Sequence, residues 1–176
     1  MKSSIKKIKI KDYFKLDYKF LYDLAEDLTP PKNLFNGKVC EFMKLTFDEM
    51  EWVKNIVIEP TLENIKDLYE ICYNETKFLN CRLLDYFQSK KWIDKQIIEL
   101  VKTEKKLLYV IPNPRKLAAG ADNLKMFKSL NTKNAFGAMY GFRPKEIGKW
   151  KYEEVLYLQA LHCGIQNINT NLSQMK

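Results

Sequence analysis

The stretch TLENIKDLYEICYNETKFLNCRLLDYF, residues 61–87, decides the fold. Apolar side chains recur in it at Ile65, Leu68, Cys72, Leu79, Leu83 and Tyr86, three, four or seven positions apart. That spacing follows the 3.6-residue turn of an α-helix that buries one face, and not the period of two of a half-buried strand. Thr61 is placed to cap the start, its hydroxyl accepting from a first-turn N–H. The pattern weakens at Asn74-Glu75-Thr76, where the helix is expected to break. Ser89 reads as the cap of a following helix with Ile93, Ile97, Leu100 and Val101 inward, and Lys105-Lys106 suit its negative C-terminus.

Toward the N-terminus, Thr46-Phe-Asp-Glu49 is a capping box, in which the Thr hydroxyl caps the helix and the Glu side chain reaches back. The helix it opens is expected to bury Phe47, Met50, Val53 and Val57 and to close at Pro60. Asn36-Gly37 is a turn signal, and Val39 to Leu45 suits a short strand. Asp12 can cap a helix with Leu16, Phe20, Leu24 and Leu28 on one face, ended by Pro30-Pro31. Ile and Lys alternate from Ile8 to Lys11, which fits a short strand or an extended basic arm.

Toward the C-terminus, Leu107 to Ile111 is a short run expected to be buried, and Pro112-Asn-Pro114 marks a boundary. Five of the six glycines lie from Gly120 to Gly164. Leu117, Ala121, Leu124, Phe127 and Leu130 form a helical stripe that Gly120 weakens. Ala135 to Tyr140 suits a short helix stopping at Gly141, and Pro144 suits the first turn of another. The last helix begins near Tyr152 and is expected to bury Val155, Leu158, Leu161 or His162, Ile165, Ile168 and Leu172. The fold expected is mostly α, a multi-helix bundle of six to eight helices with up to two short strands. It divides into a helical core domain, 1–111, and a Gly-richer helical subdomain, 112–176, packed on it.

At 176 residues, 46% hydrophobic and 13% aromatic, the chain can build a core. No apolar run approaches the roughly 20 residues that cross a bilayer. Met1 to Lys11 lacks the apolar stretch of a secretion signal, so a cytoplasmic protein with no membrane partner is expected. Cys40, Cys72, Cys81 and Cys163 form no CxxC pair and read as buried free thiols. The net charge of +8 is uneven. Residues 1–19 carry +5, residues 20–111 carry −3 and residues 112–151 carry +7. Such bipolarity fits positive faces meeting negative faces of neighbouring copies, or a phosphate-binding surface.

No catalytic constellation can be assembled from these residues. His162, the only histidine, lies mid-helix on or beside the apolar stripe, and Cys163 points about 100° away around the helix. Cys72 and Cys81, nine apart, cannot share a metal from one helix. There is no GxxxxGK[ST], GxGxxG or GxSxG. The expectation is no enzyme, no cofactor and no metal.

The informative segment is AFGAMYGFRPKEIGKW, residues 135–150. It reads as helix, glycine turn, short helix and aromatic stop, a helix–turn–helix corner in which Ile147 and Trp150 lock the second helix onto the first. The corner resembles helix-turn-helix DNA readers. That resemblance implies a nucleic-acid interface in which Arg143, Lys145, Lys149 and Lys151 meet phosphates. It departs from that pattern in a second helix of about six residues that contains Gly148 and lacks side chains that read base edges. Continued to Leu156, the segment also resembles small helical tail-assembly and virion proteins of tailed bacteriophages. Phe136, Gly137, Pro144, Glu146, Ile147, Trp150, Glu154, Val155 and Leu156 carry that likeness, over about 25 residues. It implies a structural or assembly protein in the host cytoplasm or a virion, binding copies of itself or other virion subunits. Trp150, Tyr152, Arg143 and Lys145 are then the candidate interface.

Overall fold

The computed structural model describes residues 8–15, 26–56 and 61–174. The protein is mostly α-helical. Its described helices are α1 (Ile10–Tyr13), α2 (Phe47–Ile56), α3 (Leu62–Tyr73), α4 (Leu83–Leu107), α5 (Pro114–Ala118), α6 (Lys128–Tyr140), α7 (Pro144–Ile147) and α8 (Tyr152–Gln174). Short 3-10 turns occupy Phe42–Lys44, Phe78–Asn80 and Ala121–Phe127. Their number fits the six to eight helices expected. Of the expected helix after Asp12, Leu16, Phe20 and Leu24 lie outside the described residues, as do Val57 and Pro60.

The two expected strands are absent among the described residues. The Ile–Lys alternation at residues 8–11 gives way to α1, leaving one bridge between Lys9 and Arg82. Val39 to Leu45 is irregular chain ending in a 3-10 turn. A lone extended segment has nowhere to direct its backbone hydrogen bonds without a partner strand.

The chain divides into two compact units. The first comprises Met1–Phe42 and Val53–Glu99, the second Met43–Trp52 and Leu100–Lys176. The Pro112 boundary read from the sequence therefore falls inside the second unit, which also takes in a segment from much earlier in the chain.

The first unit is built on aromatic rings. Tyr69 sits among Phe35, Phe78 and Tyr86 with centroids 4.4, 4.7 and 5.7 Å away. Fully buried, its hydroxyl still needs a partner, and it finds Ser89 Oγ at 2.8 Å. Ser89 is thus no helix cap. It lies inside α4, itself fully buried, and its hydroxyl also reaches back to the Asp85 carbonyl at 2.7 Å. Helices α3 and α4 are separated where expected. Thr61 Oγ1 accepts the Asn64 N–H, and Asn74, at φ 50°, ends α3 in the left-handed conformation.

Glu75 then turns inward. Its carboxylate accepts from the Asn36 amide at 2.8 Å and the Lys77 N–H at 2.9 Å, and pairs with Lys38 at 3.2 Å. Those donors, the Asn36 amide foremost, hold its pKa below the usual glutamate value. Asn36 (φ 47°) and Gly37 (φ 78°) form the expected tight turn, closed by the Phe35–Lys38 bridge.

Candidate protein-interaction face

The second unit is organised around the corner read from residues 135–150. Helix α6 stops at Gly141, whose N–H bonds the Gly137 carbonyl, and Pro144 opens α7. The Arg143 N–H bonds the Glu146 carboxylate at 2.6 Å. Ile147 is fully buried. Trp150 closes the corner, with Phe142 edge-on at 5.2 Å and Tyr140 at 6.4 Å.

The corner is fixed to the start of α2, a pairing that no local pattern announces. The first N–H groups of a helix have no partner within it. In α2, Phe47 N–H bonds the Trp150 carbonyl at 2.8 Å and Asp48 N–H the Gly148 carbonyl at 3.0 Å. Tyr152 N–H returns a bond to Leu45 at 2.8 Å. The capping box at Thr46 forms as read, with the Glu49 carboxylate 2.8 Å from the Thr46 N–H. The rings of Phe47 and Tyr152 stack at 6.1 Å, Asp48 pairs with Lys133, and the Tyr152 hydroxyl reaches Glu104.

Two glycines permit this packing. A Cβ on Gly148 would overlap the Asp48 carboxylate, and one on Gly137 would lie 2.7 Å from the Phe142 carbonyl oxygen. Gly148, a departure from the DNA-reader pattern, thus has a packing reason.

The candidate site residues therefore separate. Tyr152 is only 1% exposed, so it supports the corner from inside and offers no surface to a partner. Trp150 is half-buried, whereas Arg143, Lys145, Lys149 and Lys151 are exposed. Helix α7 has four residues, about 6 Å of helix at 1.5 Å per residue. That is one turn, with little length to present along a DNA groove.

Helix α8 departs most from expectation. Val155 and Leu156 are buried as its first turn enters the core. Beyond them Leu161, Ile165, Ile168 and Leu172 are 58, 45, 60 and 55% exposed, although the sequence places Ile165, Ile168 and Leu172 inward. The face turned toward the rest of the unit is polar. Gln159 Nε2 donates to Thr132 Oγ1 at 2.9 Å. Asn167 accepts the Ile111 N–H at 2.7 Å and donates to the Tyr109 carbonyl at 2.9 Å. Cys163 Sγ lies 3.7 Å from the Leu108 carbonyl. The expected buried run is thus held by its backbone while Leu107, Tyr109 and Val110 are exposed. Leu117, Phe127 and Leu130 of the next stripe are exposed too.

His162 is half-buried, its Nε2 3.1 Å from the Tyr140 hydroxyl and its ring 5.7 Å from Phe136. Burial pushes the Cys81 thiol up to about 11 and raises Cys163 as well, which disfavours the thiolate form a nucleophile needs. In the first unit a recess of about 500 Å³ is lined mainly by Ile65, Leu68, Ile97 and Ile98, with Lys90 and Asp94 beside them. Lys90 pairs with Glu26 at 2.5 Å. Among the described residues, no group of three or more His, Cys, Asp or Glu side chains is placed to hold a metal, and no helix is long and apolar enough to cross a membrane.

Compared with known protein families, characterised proteins and solved structures, the chain matches none.

Proposed function

We propose that this chain is a non-enzymatic structural or assembly protein that binds other protein subunits, of the kind found in bacteriophage virions and tail assembly, and that it works in the host cytoplasm or in the particle. One observation carries the reading. Of the twenty large apolar side chains exposed among the described residues, sixteen belong to the second unit. Such concentrated apolar exposure marks interaction surfaces. The exposed cations Arg143, Lys145 and Lys149 add a charged rim that can steer acidic partners.

The test sets protein contact against nucleic-acid contact. Fluorescence anisotropy with a short duplex at physiological salt should give binding no tighter than ordinary non-specific affinity, roughly 10⁻⁴ to 10⁻⁶ M. Changing Arg143, Lys145, Lys149 and Lys151 together to Gln should leave little DNA affinity to lose. Wild-type binding tighter than about 1 μM, lost in that variant and falling steeply with salt, would mean that the cations serve phosphates, and the subunit-binding reading would fail.

A further inference from the structure

We infer that the occupant of the exposed α8 face is a second copy of this chain, paired along Leu158, Leu161, Ile165, Ile168 and Leu172; the inference rests on the subunit-binding reading and names its partner. These five positions are spaced three, four, three and four residues apart, the a/d repeat of a heptad. The four from Leu161 onward are about half exposed or more, and Leu158 is half-buried. A heptad stripe is filled best by another of the same period, because knobs enter holes only when the two repeats stay in step.

The orientation of α8 argues that the stripe is not a misplaced core face. Gln159, Cys163 and Asn167 sit at the positions of that repeat that face away from the stripe, and each makes a contact within the second unit. The helix is anchored by its polar side and presents its Leu and Ile side outward.

Charge selects the occupant. From Val155 to Gln174 the helix contains no Lys, Arg, Asp or Glu. Flanking charges normally set partner choice in paired helices. Here Tyr157, His162, Gly164, Asn169 and Asn171 flank the stripe, so nothing opposes self-pairing. An acidic or phosphate-bearing partner, or an anionic lipid surface, is normally met by basic side chains on the same helix, and α8 carries no Lys or Arg from Val155 to Gln174. Two chains of net charge +8 repel elsewhere, and an uncharged face is where they can approach. A face repeated on both partners closes with two-fold symmetry.

The stripe from Leu158 to Leu172 is about 21 Å long at 1.5 Å per residue, so the pair should be small and reversible. Sedimentation equilibrium on the full chain, from about 1 to several hundred μM, should show mass rising from 20.9 kDa toward twice that value. Two variants, Ile165→Lys with Ile168→Lys and Ile165→Glu with Ile168→Glu, should each weaken pairing by roughly 100-fold or more, since like charges would face one another. At concentrations low enough that the wild type is itself unpaired, both should unfold at the wild-type temperature, because the altered positions are exposed in the single chain. Mixed one to one, they should recover the dimer.

A wild-type chain that stays at 20.9 kDa overturns the pairing. So does a dimer that both charged variants retain, a mixture that fails to recover it, or an unfolding temperature lowered in both variants at concentrations where the wild type is unpaired. Flotation of a monomeric wild type with phosphatidylcholine vesicles would assign the stripe to lipid and overturn it as well. A monomeric wild type leaves the broader subunit-binding reading standing, which falls on the DNA measurement instead.

Discussion

The two units are of similar chain length but place their apolar residues differently. Among the described residues, eighteen of the twenty-six buried apolar side chains belong to the first unit, and sixteen of the twenty large exposed ones to the second. The first surrounds the Tyr69 hydroxyl with rings and closes it with Ser89. The second anchors α8 through amides, a thiol and backbone carbonyls, and turns leucine and isoleucine outward. Similar overall hydrophobicity can thus serve a core or a surface. What separates the two is whether polar partners wait on the inner side.

The contrast is open to measurement. The largest effect should come from Phe87→Ala in the fully buried ring cluster, about 3–5 kcal/mol by chemical denaturation. A loss below 1 kcal/mol would mean that the rings do not form the packed core of the first unit.

Gly137→Ala comes next. Helix propensity alone favours Ala by about 1 kcal/mol. The Phe142 carbonyl occupies the space a Cβ needs, so the change should instead destabilise by about 1–3 kcal/mol. A stabilised variant would show that the corner has room to relax.

Glu75→Gln should cost about 1–2 kcal/mol at neutral pH by removing an ionised acceptor from three donors. Its lowered pKa fixes the sign of the pH effect. A carboxylate with a depressed folded pKa contributes stability that is present above the unfolded value, near ~4.3, and is lost as pH falls through the folded value. Urea midpoints below about pH 5 should therefore fall more steeply for the wild type than for Glu75→Gln. Parallel curves would discount the carboxylate.

The smallest effect should be Leu161→Ala, below about 0.5 kcal/mol in dilute, unpaired chain, as for exposed positions generally. A loss of about 2 kcal/mol or more would place Leu161 in a core and erase the contrast.

Much of the local structure was legible. The break at Asn74, the Thr46 capping box, the Asn36-Gly37 turn, the stop at Gly141 and the start at Pro144 each depend on a few neighbouring residues. Ser89 was misread because a serine before an apolar run is a good cap, whereas its partner, the Tyr69 hydroxyl, lies twenty residues away. The α8 stripe shows a further limit. Periodicity establishes that a helix has an apolar face, but not which way that face turns. A usable signal was present in the absence of charge from Val155 to Gln174, since a helix with its polar side in water normally carries some. The union of α2 with the corner was invisible because it joins residues about a hundred positions apart.

That union has a consequence for synthesis. The N–H groups of Phe47 and Asp48 wait for carbonyls at Trp150 and Gly148, which leave the ribosome about a hundred residues later. At roughly 5–20 residues per second, that is about 5–20 s during which the Met43–Trp52 segment lacks its lasting neighbours. Over that interval Phe47, buried in the finished chain, stands without the Tyr152 ring that stacks on it. A chain halted at Gly141 should accordingly be digested by protease within Met43–Trp52 where the full chain resists. The unit with the more open surface is also the one that closes last.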